Sequence, residues 1–244
     1  MKFVESPNLP KGRVKTVIAD CKISKKSLDT LDKLGIKVIL SCELASLYDA
    51  VNSHPDMMIH HLGNNKFVTV SEAYEHFTKA MPEAEIIKGA SVLTDKYPND
   101  IAYNAAAVNG RLICRRDYTD KEILSHYENI LNVKQGYGKC SVCIVSKNAI
   151  ITADSGIYEV AVNAGMDVLK IREGYIRLEG MNYGFIGGAT GLISNDMLAV
   201  NGNIETHPDC GLIRDFCKKY GVEIISLNGG EITDIGSIIP VYEQ

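Results

Sequence analysis

Asparagine recurs in this chain where a β-hairpin has to turn, and that recurrence restricts the possible folds more than any other feature. Residues 57–63 are apolar and mostly β-like, Asn64 and Asn65 follow, and residues 66–71 alternate. Residues 102–108 lead to Asn109-Gly110 and then 111–116; residues 140–146 lead to Lys147-Asn148 and then 149–154. Residues 184–194 lead to Asn195-Asp196 and then 197–202. Asn, Asp and Gly tolerate the positive φ of tight hairpin turns, so each stretch is expected to be a two-stranded antiparallel pair.

A helical stretch follows each hairpin, over 72–81, 120–131, 156–164 and 208–220. In the last, Leu212, Ile213, Phe216 and Tyr220 share one face at helical spacing. Gly165 and Gly221 stand where a left-handed C-cap ends a helix. A short β-like run comes next, over 85–89, 133–135, 167–171 and 223–227. The pattern is therefore strand–strand–helix–strand, four times over.

The two ends of the chain hold the pieces of a fifth unit. Residues 16–20 form a strand, Ser24 caps a helix running to Leu34, Gly35 ends it, and 37–41 form the closing strand. The missing first strand is supplied by 237–242, which is expected to pair beside 16–20 and remove an exposed sheet edge. Equivalent starting positions fall at Asp56, Asp100, Cys140, about Gly184 and Asp234, at intervals of 44, 40, 44 and 50 residues. The expected fold is α/β: a single domain over 1–244, a five-fold pseudo-symmetric α/β-propeller. The competing arrangement is an open α/β sheet, but parallel sheets use helical crossovers rather than tight hairpins.

Composition fits a soluble globular domain, with 45% apolar and 23% charged residues. The net charge of -4 gives no reason to expect nucleic acid, and the longest apolar runs, 142–145 and 235–241, are too short to span a bilayer. Residues 1–12 lack the apolar core of a signal peptide and read as an extended arm. The seven cysteines then read as free thiols in a reducing cytoplasm.

A ring of five such units whose first is built from both termini resembles the pentein α/β-propellers. That superfamily contains arginine and agmatine deiminases, amidinotransferases, dimethylarginine hydrolases and the ribosome anti-association factor. The phrases HPDMMIHHLGNN, YPNDIAYN and KQGYGKCSVCIV are similar to a bacterial branch of it. The resemblance implies cysteine chemistry on a guanidinium carbon, with the cysteine near the C-terminus in a phrase like G-G-G-x-I-H-C-I-T. Here the matching stretch is Gly229-Gly230-Glu231-Ile232-Thr233-Asp234-Ile235-Gly236-Ser237, with Asp234 where the nucleophile would stand. The family's H-L-D phrase falls on Phe185-Ile186-Gly187-Gly188-Ala189, which has no histidine.

The unit equivalence offers Cys140 as a different nucleophile, at the mouth of a first strand, with Lys139 beside it to favour the thiolate. His54 and His60 are the candidate bases, and Asp56, Met58 and His60 are expected to share one face by period-two alternation. Asp56, Asp100 and Asp234 hold equivalent places and would converge on a cationic ligand, joined by Asn104 and Glu173. No spacing supports a metal site, no motif calls for a cofactor, and Gly187-Gly188 fits close backbone approach rather than a phosphate loop. The expected activity is that of a small-molecule hydrolase or transferase acting on a cationic, amino-acid-like or guanidino compound, possible as a homo-oligomer. The alternative is a non-catalytic ring that binds a small ligand or a macromolecule.

Overall fold

The computed structural model describes residues 1–244. Five small sheets hold the strands, each with an antiparallel pair followed by a parallel third strand. The second unit pairs Ile59–Gly63 with Lys66–Thr69 and then Glu85–Lys88. The third pairs Ala106–Val108 with Arg111–Cys114 and Asn129–Asn132. The fourth uses Cys143–Ser146, Ala149–Thr152 and Asp167–Lys170. The fifth uses Thr190–Ser194, Met197–Val200 and Glu223–Ser226.

The first unit is built from both ends of the chain. Ile239–Glu243 pairs antiparallel with Val14–Ala19, placing Ile239 opposite Ile18, and Lys37–Leu40 runs parallel on the far side. Lys2–Phe3 adds a fourth strand against the C-terminal one. Asn64 and Asn109 turn their hairpins at φ 50° and 49°, the left-handed region that asparagine enters more readily than most residues. The hairpins at Asn64, Asn148 and Asn195 each carry a register shift just before the turn.

Helices cross between the second and third strands of each unit. The longer ones are Lys25–Lys33, Tyr74–Ala80, Ser155–Asn163 and Cys210–Lys219. Ser24 caps the first of these by accepting from the Ser27 N–H. The expected helix over 120–131 shrinks to one turn, Lys121–Leu124, capped by Asp120. The parallel strand then starts at Asn129 rather than Val133, because Ile130 must come opposite Leu112 to continue the sheet.

The first strands of all four hairpins begin later than the apolar pattern suggests, at Ile59, Ala106, Cys143 and Thr190. Pro55–Met58 and Gly138–Ser141 are single helical turns ahead of their strands. Asp56 and Cys140 therefore sit on turns at the strand mouths, where period-two alternation does not apply.

Apolar side chains from neighbouring units interlock. One core of 27 buried residues joins the third, fourth and fifth units, and one of 25 joins the first, second and third. A core of 11 joins the fifth to the first, packing Val17 and Leu31 with Ile193, Ala199 and Ile238. Where the units meet, backbone crowds backbone: a Cβ on Gly187 would strike the carbonyls of Lys139 and Val142, and one on Gly188 would strike the Asp234 carboxylate. No helix is long and apolar enough to cross a membrane.

Candidate active site

Pro55 restricts His54 to extended backbone and opens the helical turn that carries Asp56. The turn Gly138–Ser141 is held by Asn104, whose Oδ1 accepts from the N–H groups of Lys139 (2.8 Å) and Cys140 (3.2 Å). The Asn104 amide then donates to Asp56 Oδ1 (3.0 Å) and to Cys140 Sγ (3.1 Å). One side chain thus places the thiol and its neighbouring carboxylate together. Asp234 accepts from the Phe185 N–H (2.9 Å) and the Gly236 N–H (3.0 Å).

These turns bring His54, Cys140 and Asp234 together, with one nitrogen, the sulfur and one carboxylate oxygen all within 4.8 Å of one another. All three are buried. His54 lies between two carboxylates, its Nδ1 3.8 Å from Asp234 Oδ1 and its Nε2 3.8 Å from Asp20 Oδ2. Its Nδ1 has no hydrogen-bond partner. The three form the floor of a cavity of about 260 Å³ walled by Tyr48, Tyr137, Leu178, Met181, Tyr183 and Phe185. A second compartment of about 450 Å³ shares His54 and Asp234 and adds Asp20, Asp49, Glu179 and Lys22. A cation entering there meets acid on several sides.

Electrostatics follow from burial. The Asp234 carboxyl is pushed up to about 6, mainly by desolvation, with His54 opposing and Asp56 reinforcing the rise. The Cys140 thiol is pushed well above its ordinary value by burial, then by the negative charge of Asp56 and Asp234. Lys139 does not offset this rise as the sequence suggests. Burial pulls the lysine's own pKa down, and its ammonium turns away to donate to Ser237 Oγ at 2.9 Å. The resting thiol is neutral and donates to Asp56 Oδ2 at 3.1 Å.

The other expected site residues divide. Asp56 and Asn104 contact the thiol, although Asp56 does not line the cavity. Asp100 is one tyrosine removed: it accepts from Tyr137 Oη at 2.7 Å, and Tyr137 Oη lies 3.1 Å from Tyr48 Oη. His60 is not a base for Cys140. Its Nε2 meets Tyr127 Oη at 3.2 Å, and burial pushes its pKa down to about 3. Glu173 lines a separate cavity of about 90 Å³ with Asp154 and Arg172 and does not reach the thiol. Reading the sequence missed Asp20, Ser237 and the aromatic walls. Asp20 carried a signal as the acid directly after an apolar strand, whereas Ser237 carried none.

Five sheets of an antiparallel pair plus a parallel strand, with the first completed by the C-terminus, make this a protein of the pentein fold. The chain belongs to the family of unknown function DUF6873, whose profile matches residues 18–239. No curated protein matches it in sequence. Among solved structures it is similar to SxtG, an amidinotransferase from Microseira wollei in the saxitoxin biosynthetic pathway. The TM-score is 0.61 at 11% identity, over 99% of this chain and 97% of that one. An agmatine deiminase of C. jejuni has a TM-score of 0.57 at 12% identity, over 92% and 91%. A DDAH from Pseudomonas aeruginosa, in a cysteine-to-serine mutant complexed with citrulline, has 0.55 at 9%, over 94% and 100%.

Proposed function

We propose that the protein is a cysteine-dependent hydrolase or transferase acting on a small guanidino or amidino cation. The observation that carries this reading is the convergence of the Cys140 thiol, His54 and Asp234 on the floor of one aromatic-walled cavity. Structural neighbours named as an amidinotransferase and an agmatine deiminase support it. The five units close into a propeller around this site, a reading supported by cores that link each unit to the next and the fifth to the first. Seven free thiols support a cytoplasmic setting.

The chemistry follows from the charges. A cation held at Asp234 and over the aromatic rings offsets the negative field that keeps the thiol neutral. Sulfur then attacks the planar carbon, the C–N bond to the leaving amine breaks, and His54 supplies that amine's proton. Water, returning a proton to His54, then attacks the same carbon, the C–S bond breaks and a urea-type product leaves, or a second amine attacks in the same way and takes the amidino group. No lysine or arginine lines the cavity, and the one lysine of the adjoining compartment, Lys22, is engaged by Glu43 at 3.2 Å and Asn52 at 2.7 Å, so no free cation awaits a substrate carboxylate. An aminoalkylguanidine suits it better than an α-amino acid, with its far amine among Asp20, Asp49 and Glu179. A non-catalytic binding role is the second reading, favoured by the neutral resting thiol.

The test is incubation with agmatine, arginine and butylguanidine, each alone and with glycine as amine acceptor, following ammonia and diamine release and the mass of Cys140. Turnover or a covalent adduct lost in Cys140→Ser is expected. Binding with neither turnover nor adduct leaves the second reading. No binding of any of the three overturns both.

A further inference from the structure

Behind the thiol, on the side away from the cavity, is a buried cluster that the reaction above leaves unexplained. Ser237 Oγ is 2.6 Å from Asp56 Oδ2 and 3.0 Å from the Gly187 carbonyl, with one proton for two acceptors. Lys139 Nζ donates to the same hydroxyl at 2.9 Å and reaches the Gly187 carbonyl at 3.5 Å. Lys139 and Ser237 are both buried, and no carboxylate lies within ion-pair distance of the ammonium. Ser237 holds φ 79°, a strained value for a residue with a side chain. Its main-chain N–H is fixed on the Gly188 carbonyl at 2.7 Å.

Counting donors and acceptors shows what the cluster can do. With Asp56 ionised, Oδ1 accepts from Asn104, and Oδ2 accepts from Ser237 and the Cys140 thiol. If Asp56 gains a proton at Oδ2, the Ser237 hydroxyl rotates to Gly187, and its freed lone pair accepts from the new O–H. Lys139 keeps its donation throughout. Both protonation states of Asp56 are satisfied without any heavy atom moving, and a neighbouring cation compensates the charged one.

The geometry points to Asp56 as the group that receives the Cys140 proton, with Ser237 and Lys139 as its positioning residues. This rests on the reading of Cys140 as the nucleophile. In the step, the S–H bond breaks as the S–C bond forms, and the proton becomes the O–H of Asp56. When the sulfur is released from the product, the same proton returns to it, so the cycle closes with no outside base. The role differs from the substrate anchor that sequence position implies, and it fits the absence of Asp56 from the cavity wall. The titratable groups facing Asp56 are Cys140, Lys139 and Asp234, with His54 beyond Gly236 and with His60 and His61 across a small void.

The test is the rate of Cys140 alkylation by iodoacetamide in the full chain, mapped by peptide mass from pH 6 to 8. An internal base makes that rate nearly flat with pH, whereas a thiol losing its proton to solvent gains about tenfold per pH unit. The wild-type protein is expected to show the flat profile, and Asp56→Asn the tenfold slope. Ser237→Gly, which suits the positive φ, and Lys139→Met are expected to lower the flat rate about tenfold or more. A tenfold slope in the wild-type protein, or a flat rate unchanged by Ser237→Gly, overturns the inference. If Lys139→Met does not fold, Ser237→Gly decides alone. The assay uses no substrate, so a flat profile without turnover of guanidino compounds would overturn the enzyme reading and leave the proton acceptor standing.

Discussion

Asp234→Asn tests whether the site is held together at a cost to folding. In the native protein the Asp234 carboxyl is raised from 3.8 to about 6, chiefly because it is buried. A shift of about two pH units corresponds to roughly 3 kcal/mol. The sign follows from proton counting. Between the unfolded and folded values the native state binds more protons, so this group makes stability fall as pH rises from about 4 to about 6. The penalty is complete above that window and absent below it. Asparagine removes the penalty but keeps only one acceptor for the Phe185 and Gly236 N–H groups, a loss of roughly 1–3 kcal/mol at every pH. The two effects nearly cancel at pH 7.5, but only one depends on pH. The stability of the variant relative to the parent should therefore rise by roughly 2–3 kcal/mol between pH 4 and pH 7.5. The chain has no tryptophan, so urea unfolding is best followed by circular dichroism. A difference that stays flat across that range would refute the assignment of Asp234 as a destabilising buried carboxylate.

Gly188→Ala puts a methyl onto the Asp234 carboxylate and should cost roughly 1–3 kcal/mol, with loss of ligand binding by calorimetry. Tyr137→Phe removes the hydroxyl that Asp100 accepts from, while the other Asp100 oxygen already lacks a partner, and should lower stability by roughly 1–3 kcal/mol in urea. His60→Gln and Glu173→Gln should leave binding of cationic ligands unchanged, because neither side chain reaches the cavity. His60 and His61, pushed down to about 3 and about 4, bind fewer protons folded than unfolded. Their contribution is complete above about pH 6.5 and is lost as pH falls toward 4, which NMR of the imidazole C–H signals and acid unfolding would show.

Local physics carried the architecture, because its determinants lie a few residues apart. Asn64 and Asn109 adopt the positive φ that their hairpins need, Ser24 caps its helix, and the incomplete first unit left only 237–242 to fill it. Spacing also placed Asp56, Asp100 and Asp234 at equivalent strand mouths; Asp56 and Asp234 both lie beside Cys140, whereas Asp100 is held off by Tyr137. Direction was another matter. Pro55–Met58 and Gly138–Ser141 wind into helical turns, so side chains assigned by strand alternation point elsewhere. His60 turns to Tyr127, and Lys139, adjacent to Cys140 in sequence, sends its charge to Ser237. Ser237 follows Lys139 by 98 positions, and nothing in either residue's neighbourhood announces the other. Composition and turn chemistry determined which units form and in what order. The burial that drives the Cys140 thiol and the Asp234 carboxyl from their ordinary ionisation exists only once turns distant in sequence pack together, because desolvation is a property of the whole enclosure.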